Sequence, residues 1–280
     1  MSATTEGLRT ATSAAQVIEV GPDGHITRGD RVAGEEPLEI RVGGPSQEPF
    51  RVAVTMRTPG HDFELAAGFL FTEGTIEGYE IRKVSYCDAL DVEQAYNVVT
   101  VRLDRDMDPA RVGERNFYMT SSCGICGKGS IEAVRTVTTP VEPMDPVSVD
   151  VIRLLPDAML ARQKTFDRTG GVHAAASFDP AGKLLALRED VGRHNALDKL
   201  IGRAFLAREI PLRGTIACVS GRASFELVQK SAAAGISILC AVSAPSSLAI
   251  AAASELGLTL VGFLRGKSFN VYTHPAGLDL

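Results

Sequence analysis

No stretch of this chain offers the eighteen or so uninterrupted apolar residues that a bilayer-crossing helix requires. Its first sixteen residues, MSATTEGLRTATSAAQ, are small and polar and lack the apolar centre of a secretory leader. The sequence therefore predicts a frayed tail over residues 1–14, a cytoplasmic protein and no membrane partner. A basic surplus is also missing: 29 Lys and Arg against 34 Asp and Glu leave a formal charge of -5. That balance excludes broad attraction to nucleic acid while permitting a local basic site. Cysteine is scarce and odd in number, five in all, which suits a reducing compartment better than a disulfide framework. No second Cys or His pair stands at ligand spacing, so a closed structural zinc site lacks half its ligands and no directly bound metal is expected. There is no internal repeat at a solenoid period.

What is present is a globular composition, 45% hydrophobic and 22% charged over 280 residues, enough for one large domain or two ordinary ones. EPLEIRVGG and EPFRVAVTMRTPG alternate apolar and polar residues before Gly or Pro, as half-buried paired strands do. HDFELAAGFLFTEG predicts a helix whose Phe63, Ala66, Ala67 and Leu70 face the core, ended by Gly74. With the strand AYNVVTVRLD these define an N-terminal α+β domain over residues 15–112. Residues 113–280 form a second domain, in which a Pro- and Val-rich connector runs into a helix near Val149 to Lys164. Beyond it strands and helices alternate: KLLALRE, HNALDKLIGRAFLARE, GTIACVS, SFELVQKSAAAG, ISILCAV, SSLAIAAASELG, LTLVGFL. The rhythm argues for an α/β fold with a partly parallel sheet, α+β overall.

The thiols divide by context. Cys218 and Cys240 sit in short β-branched runs and read as core strand positions, and Cys87 stands alone at a strand end. Cys123 and Cys126 instead form a C-x-x-C in TSSCGICGKGS, where Gly124, Gly127 and Gly129 leave them little side-chain cover and Lys128 adds positive charge. Zinc binding, disulfide exchange and sulfur carriage all use such a pair. A thioredoxin-like site would set it at a helix start near a βαβ unit. A zinc deaminase would need H-x-E before its cysteines, yet here the cysteines precede His173 and Ala175 stands where the acid belongs. His173 in TGGVHAAA is either a satisfied polar group under the glycine turn or a ligand contact.

Parallel sheets gather the loops after their strands on one edge, where ligands bind. Those loops read EDVGRH, SGRAS, SAPSS and RGKS. Three lead into helix N-termini, whose free N–H groups attract anions, and together they bring Arg193, Arg222, Arg265 and Lys267. Ser220, Ser243 and His194 belong to the same loops, and Asp190 has the acceptor chemistry to read a purine's N–H edge. Single loops of this kind are ordinary helix caps and solvated rims; four on one edge predict a nucleotide-phosphate pocket.

The strings SSCGICG, TGGVHAAA, EDVGRHNALDKLIG, SGRASFELVQKSAAAGI and APSSLAIAAASELGLTLVGFLRGKSFNVYTHP resemble the formate dehydrogenase accessory sulfurtransferase family, FdhD/NarQ, from about residue 35 onward. The resemblance implies a cytidine-deaminase-like domain, a homodimer, and acceptance of sulfur as a persulfide from a cysteine desulfurase. It also implies transfer of that sulfur to the bis(molybdopterin guanine dinucleotide) molybdenum cofactor needed by formate dehydrogenase, with GDP as an analogue ligand. Cys123 matches the persulfide carrier, with Cys126 its neighbour, and Phe263, Leu264, Arg265, Gly266, Lys267 and Ser268 match the cofactor-binding segment. The alternative is a chaperone that binds the cofactor without chemistry.

Overall fold

The computed structural model describes residues 10–76, 78, 80–87, 95–109 and 140–280. The domain boundary expected at residues 112–113 lies outside these.

The N-terminal strands β1 (Thr12–Gly21) and β2 (Gly24–Ala33) form an antiparallel hairpin closed by Pro22 and Asp23. Its first strand begins within the expected tail. The missed signal was GPDG between two alternating runs, where Pro presets φ and Gly24 takes positive φ. β3 (Glu36–Gly43), β4 (Phe50–Arg57), β5 (Ile81–Tyr86) and β6 (Val98–Leu103) then make a four-stranded sheet in the order β4-β3-β6-β5. Helix α1 (Asp62–Thr72) covers it, burying Leu65, Ala66, Phe69 and Leu70 against Leu38, Ile40, Val99 and Val101.

After the short strand β7 (Val147–Ser148) come α2 (Val149–Leu160) and α3 (Lys164–Thr169). The main sheet follows: β8 (His173–Phe178), β9 (Leu184–Asp190), α4 (Arg193–Leu206), β10 (Ile216–Val219), α5 (Phe225–Ala233), β11 (Ile238–Ala241), α6 (Ser247–Glu255), β12 (Thr259–Arg265) and β13 (Ser268–Thr273). A final short strand, β14 (Leu278–Asp279), pairs with β7. The main sheet has six strands in the order β13-β12-β11-β10-β8-β9. Side-chain alternation gives it two buried faces: Ala217, Val219 and Leu239 meet α4, α5 and α6, while Ile216, Cys218 and Cys240 meet α2. The chain thus has the α/β class read from its rhythm. Among the described residues no helix is long and apolar enough to cross a membrane.

The two sheets are joined through α1 and α4. A Cβ on Gly68 would lie 1.9 Å from the Asp198 carbonyl oxygen, and one on Gly202 1.8 Å from that of Glu64, so only glycine permits this backbone approach. Along the same seam Lys230 Nζ lies 3.0 Å from each carboxylate oxygen of Asp198 and 2.9 Å from Thr72 Oγ1. Burial works against the Lys230 charge, but Asp198 and Glu73 outweigh it and push its pKa up, while burial also pushes the Asp198 carboxyl up.

Candidate functional site

Strand direction decides what meets at the sheet edge. β9 is antiparallel to β8 and β8 to β10, whereas β10, β11 and β12 run parallel. The C-terminal ends of β9, β10, β11 and β12 therefore open on one edge, beside the start of β8 at His173. Backbone bonds fasten neighbouring loops there: Ser246 N–H donates to Ala223 O at 3.0 Å, Ser243 N–H to Gly221 O at 3.4 Å, and Phe263 N–H to Ser243 O at 3.1 Å.

His173 and Ser220 form the centre. Ser220 Oγ accepts the Ala174 N–H at 2.9 Å and lies 3.3 Å from His173 Nδ1. Ser220 Oγ keeps its hydrogen and one lone pair for Nδ1, so the ring tautomer sets the direction of that contact. Burial first, then Arg193 and His194, lowers the His173 pKa against the opposing pull of Asp190, so the ring is neutral. Arg193 opens α4 beside Gly221, and its buried Nε has no hydrogen-bond partner among the described residues. Neither Gly192 before α4 nor Ser224 before α5 supplies a side-chain cap, whereas Ser246 caps α6 through Ala249 N–H. Two helix starts and one cation thus present unused donors at this edge.

His194 is spoken for within the protein. Its Nε2 lies 3.0 Å from Ser224 Oγ and 2.8 Å from Glu226 Oε2, and this hydrogen bond, opposed by burial, lowers the Glu226 pKa. The part expected of Asp190 needs correction. It is fully buried, pairs with Lys199 Nζ at 2.7 Å, and accepts from the backbone N–H groups of Thr58 and Gly192 and from Asn195 Nδ2. No oxygen is left to read a base. It instead ties the edge loop to the β4–α1 turn, which the buried Arg57–Asp62 pair braces at 3.0 Å. Leu264 is likewise sealed in the core by strand alternation and offers only its backbone.

Arg265, Gly266, Lys267 and Ser268 form an exposed two-residue hairpin, Gly266 holding φ 60° at its turn. The Arg265 guanidinium lies 5.7 Å from the centre of the Phe263 ring, whose backbone takes φ 53°. Arg222 is exposed, and Ser243 serves through its backbone bonds. The basic hairpin shares the edge with His173 but is three strands removed from it in the sheet order. Cys123 and Cys126 lie outside the described residues. Cys218 and Cys240 face each other across β10 and β11, fully buried, and burial pushes the Cys218 thiol up to about 12. Among the described residues no three His, Cys, Asp or Glu side chains gather as metal ligands.

Beneath this edge, toward α2 and α3, is a cavity of about 530 Å³. Met159, Gln163 and Phe166 line it together with His173, Ser220 and Val242. Sequence reasoning found only His173 and Ser220 of this set. QKTF precedes TGGVH by a few residues, but nothing in its spacing announces that a helix end will fold over the sheet edge.

The profile of the FdhD/NarQ family matches residues 33–279, nearly the whole chain. The chain belongs to the FdhD/NarQ family. Among its relatives is the sulfur carrier protein FdhD of Streptomyces avermitilis, 52% identical over 264 residues and covering 92% of each chain. The protein of the same name from Mycobacterium tuberculosis is 51% identical over 272 residues, covering 94% of this chain and 97% of that one. A crystal structure described as a formate dehydrogenase accessory protein from Desulfotalea psychrophila superposes with a TM-score of 0.76 at 25% identity, covering 96% of this chain and 99% of that one. The FdhD/NarQ match begins at residue 33, where β2 ends, so the β1–β2 hairpin lies almost wholly before it.

Proposed function

We propose that this chain is a sulfur carrier in formate dehydrogenase maturation, working in the cytoplasm as a homodimer. Cys123, as thiolate, attacks the terminal sulfur of a cysteine desulfurase persulfide. The donor S–S bond breaks, the donor cysteine leaves as thiolate, and Cys123 holds the sulfur as its own persulfide. The sulfur then passes to the bis(molybdopterin guanine dinucleotide) molybdenum cofactor, bound as substrate at the loop edge before its insertion into formate dehydrogenase. Kinship with proteins named sulfur carriers supports the first part. The uncapped starts of α4 and α5 beside Arg193 support an anionic ligand at the edge.

The observation that carries the sulfur reading is the burial of the other close pair of thiols. Cys218 and Cys240 are sealed in the sheet with thiols pushed up by burial, so neither serves as an exposed nucleophile. The reading turns to Cys123 and Cys126, the remaining close pair. The test is intact mass after incubation with a cysteine desulfurase and cysteine. The wild type should gain one sulfur that dithiothreitol removes, and Cys123→Ala should gain none. A labile sulfur on Cys123→Ala that disappears on Cys126→Ala moves the assignment to Cys126. The cavity with its unused polar groups also favours a second reading, a cofactor-binding chaperone without chemistry. Wild-type protein that binds GDP yet never gains sulfur selects it.

A further inference from the structure

The loop that leads into Arg193 is held from outside the main sheet. Thr58, in the β4–α1 turn, accepts the Val191 N–H on its hydroxyl oxygen at 3.1 Å and donates its own N–H to Asp190 Oδ2 at 3.1 Å. Its carbonyl accepts from Lys199 Nζ at 2.8 Å. One residue thus uses its amide, hydroxyl and carbonyl to fasten three points around the start of α4. Within the first turn of that helix Asn195 Nδ2 donates to Met56 O at 2.7 Å, a second tie to β4. Thr58, Asp190, Asn195 and Lys199 are all buried, so water does not replace a bond that any of them loses.

A count of backbone donors shows what these ties leave over. The Val191 N–H goes to Thr58 and the Gly192 N–H to Asp190 Oδ1 at 2.8 Å, while the helix's own bonding begins with Ala196 N–H to Gly192 O at 2.9 Å. The α4 start between them has no side-chain cap from Gly192, and the buried Arg193 Nε beside it has no hydrogen-bond partner among the described residues. Such donors hold an anion only while they point to one place. Glycine at position 192 leaves the chain ahead of Arg193 free to turn, so direction has to be imposed by neighbours. The neighbour that fixes Val191 is Thr58.

We propose that Thr58 is a positioning residue for the loop edge: its hydroxyl pins Val191, and through it aims the α4 start and Arg193 at the bound anion without touching it. The proposal rests on the reading that an anionic ligand binds at that edge. It makes the N-terminal sheet a determinant of affinity in the main sheet. Apparent affinity scales with the fraction of molecules that hold the competent loop, so a loop correctly held in about a tenth of them binds about tenfold more weakly.

Calorimetry with GDP on the full chain tests it, comparing wild type with Thr58→Val, Thr58→Ser and Asn195→Ala under conditions where each is folded. Valine keeps the branched shape and removes the acceptor, whereas serine keeps the hydroxyl. Thr58→Val should bind GDP at least tenfold more weakly, and Thr58→Ser should return to within about threefold of wild type. Amide hydrogen exchange should quicken at Val191 and through the first turn of α4 in Thr58→Val while β10 and β11 stay protected. A residue that only stabilised the fold would lower the urea midpoint and leave the affinity of the folded protein unchanged. Unchanged GDP affinity in Thr58→Val, or a Thr58→Ser as weak as Thr58→Val, overturns the positioning role and leaves the ligand reading standing. Should Thr58→Val not fold, Asn195→Ala decides in its place: weaker GDP binding with faster exchange at the α4 start supports the tie to β4, and unchanged affinity overturns it. No binding of GDP by wild type overturns both the positioning role and the ligand reading.

Discussion

Substituting alanine for Gly202 tests the helix crossing that sets the two sheets against each other. In an isolated helix the change is favourable, by about 1 kcal/mol, because glycine loses more backbone freedom on folding. Here the new Cβ would stand 1.8 Å from Glu64 O and 2.7 Å from Gly68 N, where side-chain carbons essentially never come within 3.0 Å of another heavy atom. The contact is backbone on both sides, so no rotamer relieves it, and α1 must retreat from α4 by roughly 1 Å or more. Overpacking of this kind costs about 1–3 kcal/mol. The retreat also stretches the Thr72 Oγ1 to Asp198 Oδ1 bond of 2.8 Å. It pulls apart the buried Lys230 group as well, where uncoupling a charge costs about 3–5 kcal/mol. Even with that second cost only partly incurred, the losses exceed the propensity gain, and a net destabilisation of about 2 kcal/mol or more is expected. In urea, with a slope of about 2–3 kcal/mol per molar for a chain of this size, the midpoint should fall by roughly 0.7–1 M. A single separation relieves both clashes, so Gly68→Ala with Gly202→Ala should cost less than the sum of the two alone. An unchanged or raised midpoint for Gly202→Ala would refute the reasoning, because propensity would then be deciding at a crossing that in fact has room.

Two further outcomes are expected. Glu64 resists the upward push of burial because Arg188 Nη2, 2.7 Å away, and His61 hydrogen-bond its carboxylate and hold its pKa down to about 2. Its contribution is therefore present above its ordinary 4.5 and lost as pH falls from there through about 2. Acid titration of stability should show about 1–2 kcal/mol lost over that window after solvent screening, and Glu64→Gln should flatten it. At the exposed hairpin, Arg265→Ala with Lys267→Ala should weaken GDP by ten- to about a hundredfold, at about 1.4 kcal/mol per tenfold, and more at low salt than at high. Persulfide formation should be untouched in that variant. Calorimetry giving an unchanged GDP affinity would make the pair a solvated rim.

Much of the back half was legible from local signals. KLLALRE, GTIACVS, ISILCAV and LTLVGFL are strands, and the helices between them end at the glycines or polar turns that mark them. Pattern alone also placed Cys218 and Cys240 in the core, because a thiol inside a four-residue β-branched run has nowhere else to point. The hairpin at Thr12–Ala33 went unread, because small and charged residues blur the alternation on either side of GPDG.

By itself the sequence determined the α/β class, the order of the elements, the loops that reach one sheet edge and the C-x-x-C pair, since each depends on residues close along the chain. Only the tertiary structure decided how each polar group was used. Asp190 and Lys199 lie nine residues apart in a loop-and-helix segment that looks solvent-facing, yet packing against Thr58, 132 residues earlier than Asp190, buries both. The same packing set Gln163 and His173 on one cavity that no spacing rule marks. Side-chain chemistry is written in the residue, but whether a carboxylate, an amide or an imidazole faces protein, water or ligand depends on partners that only folding brings near.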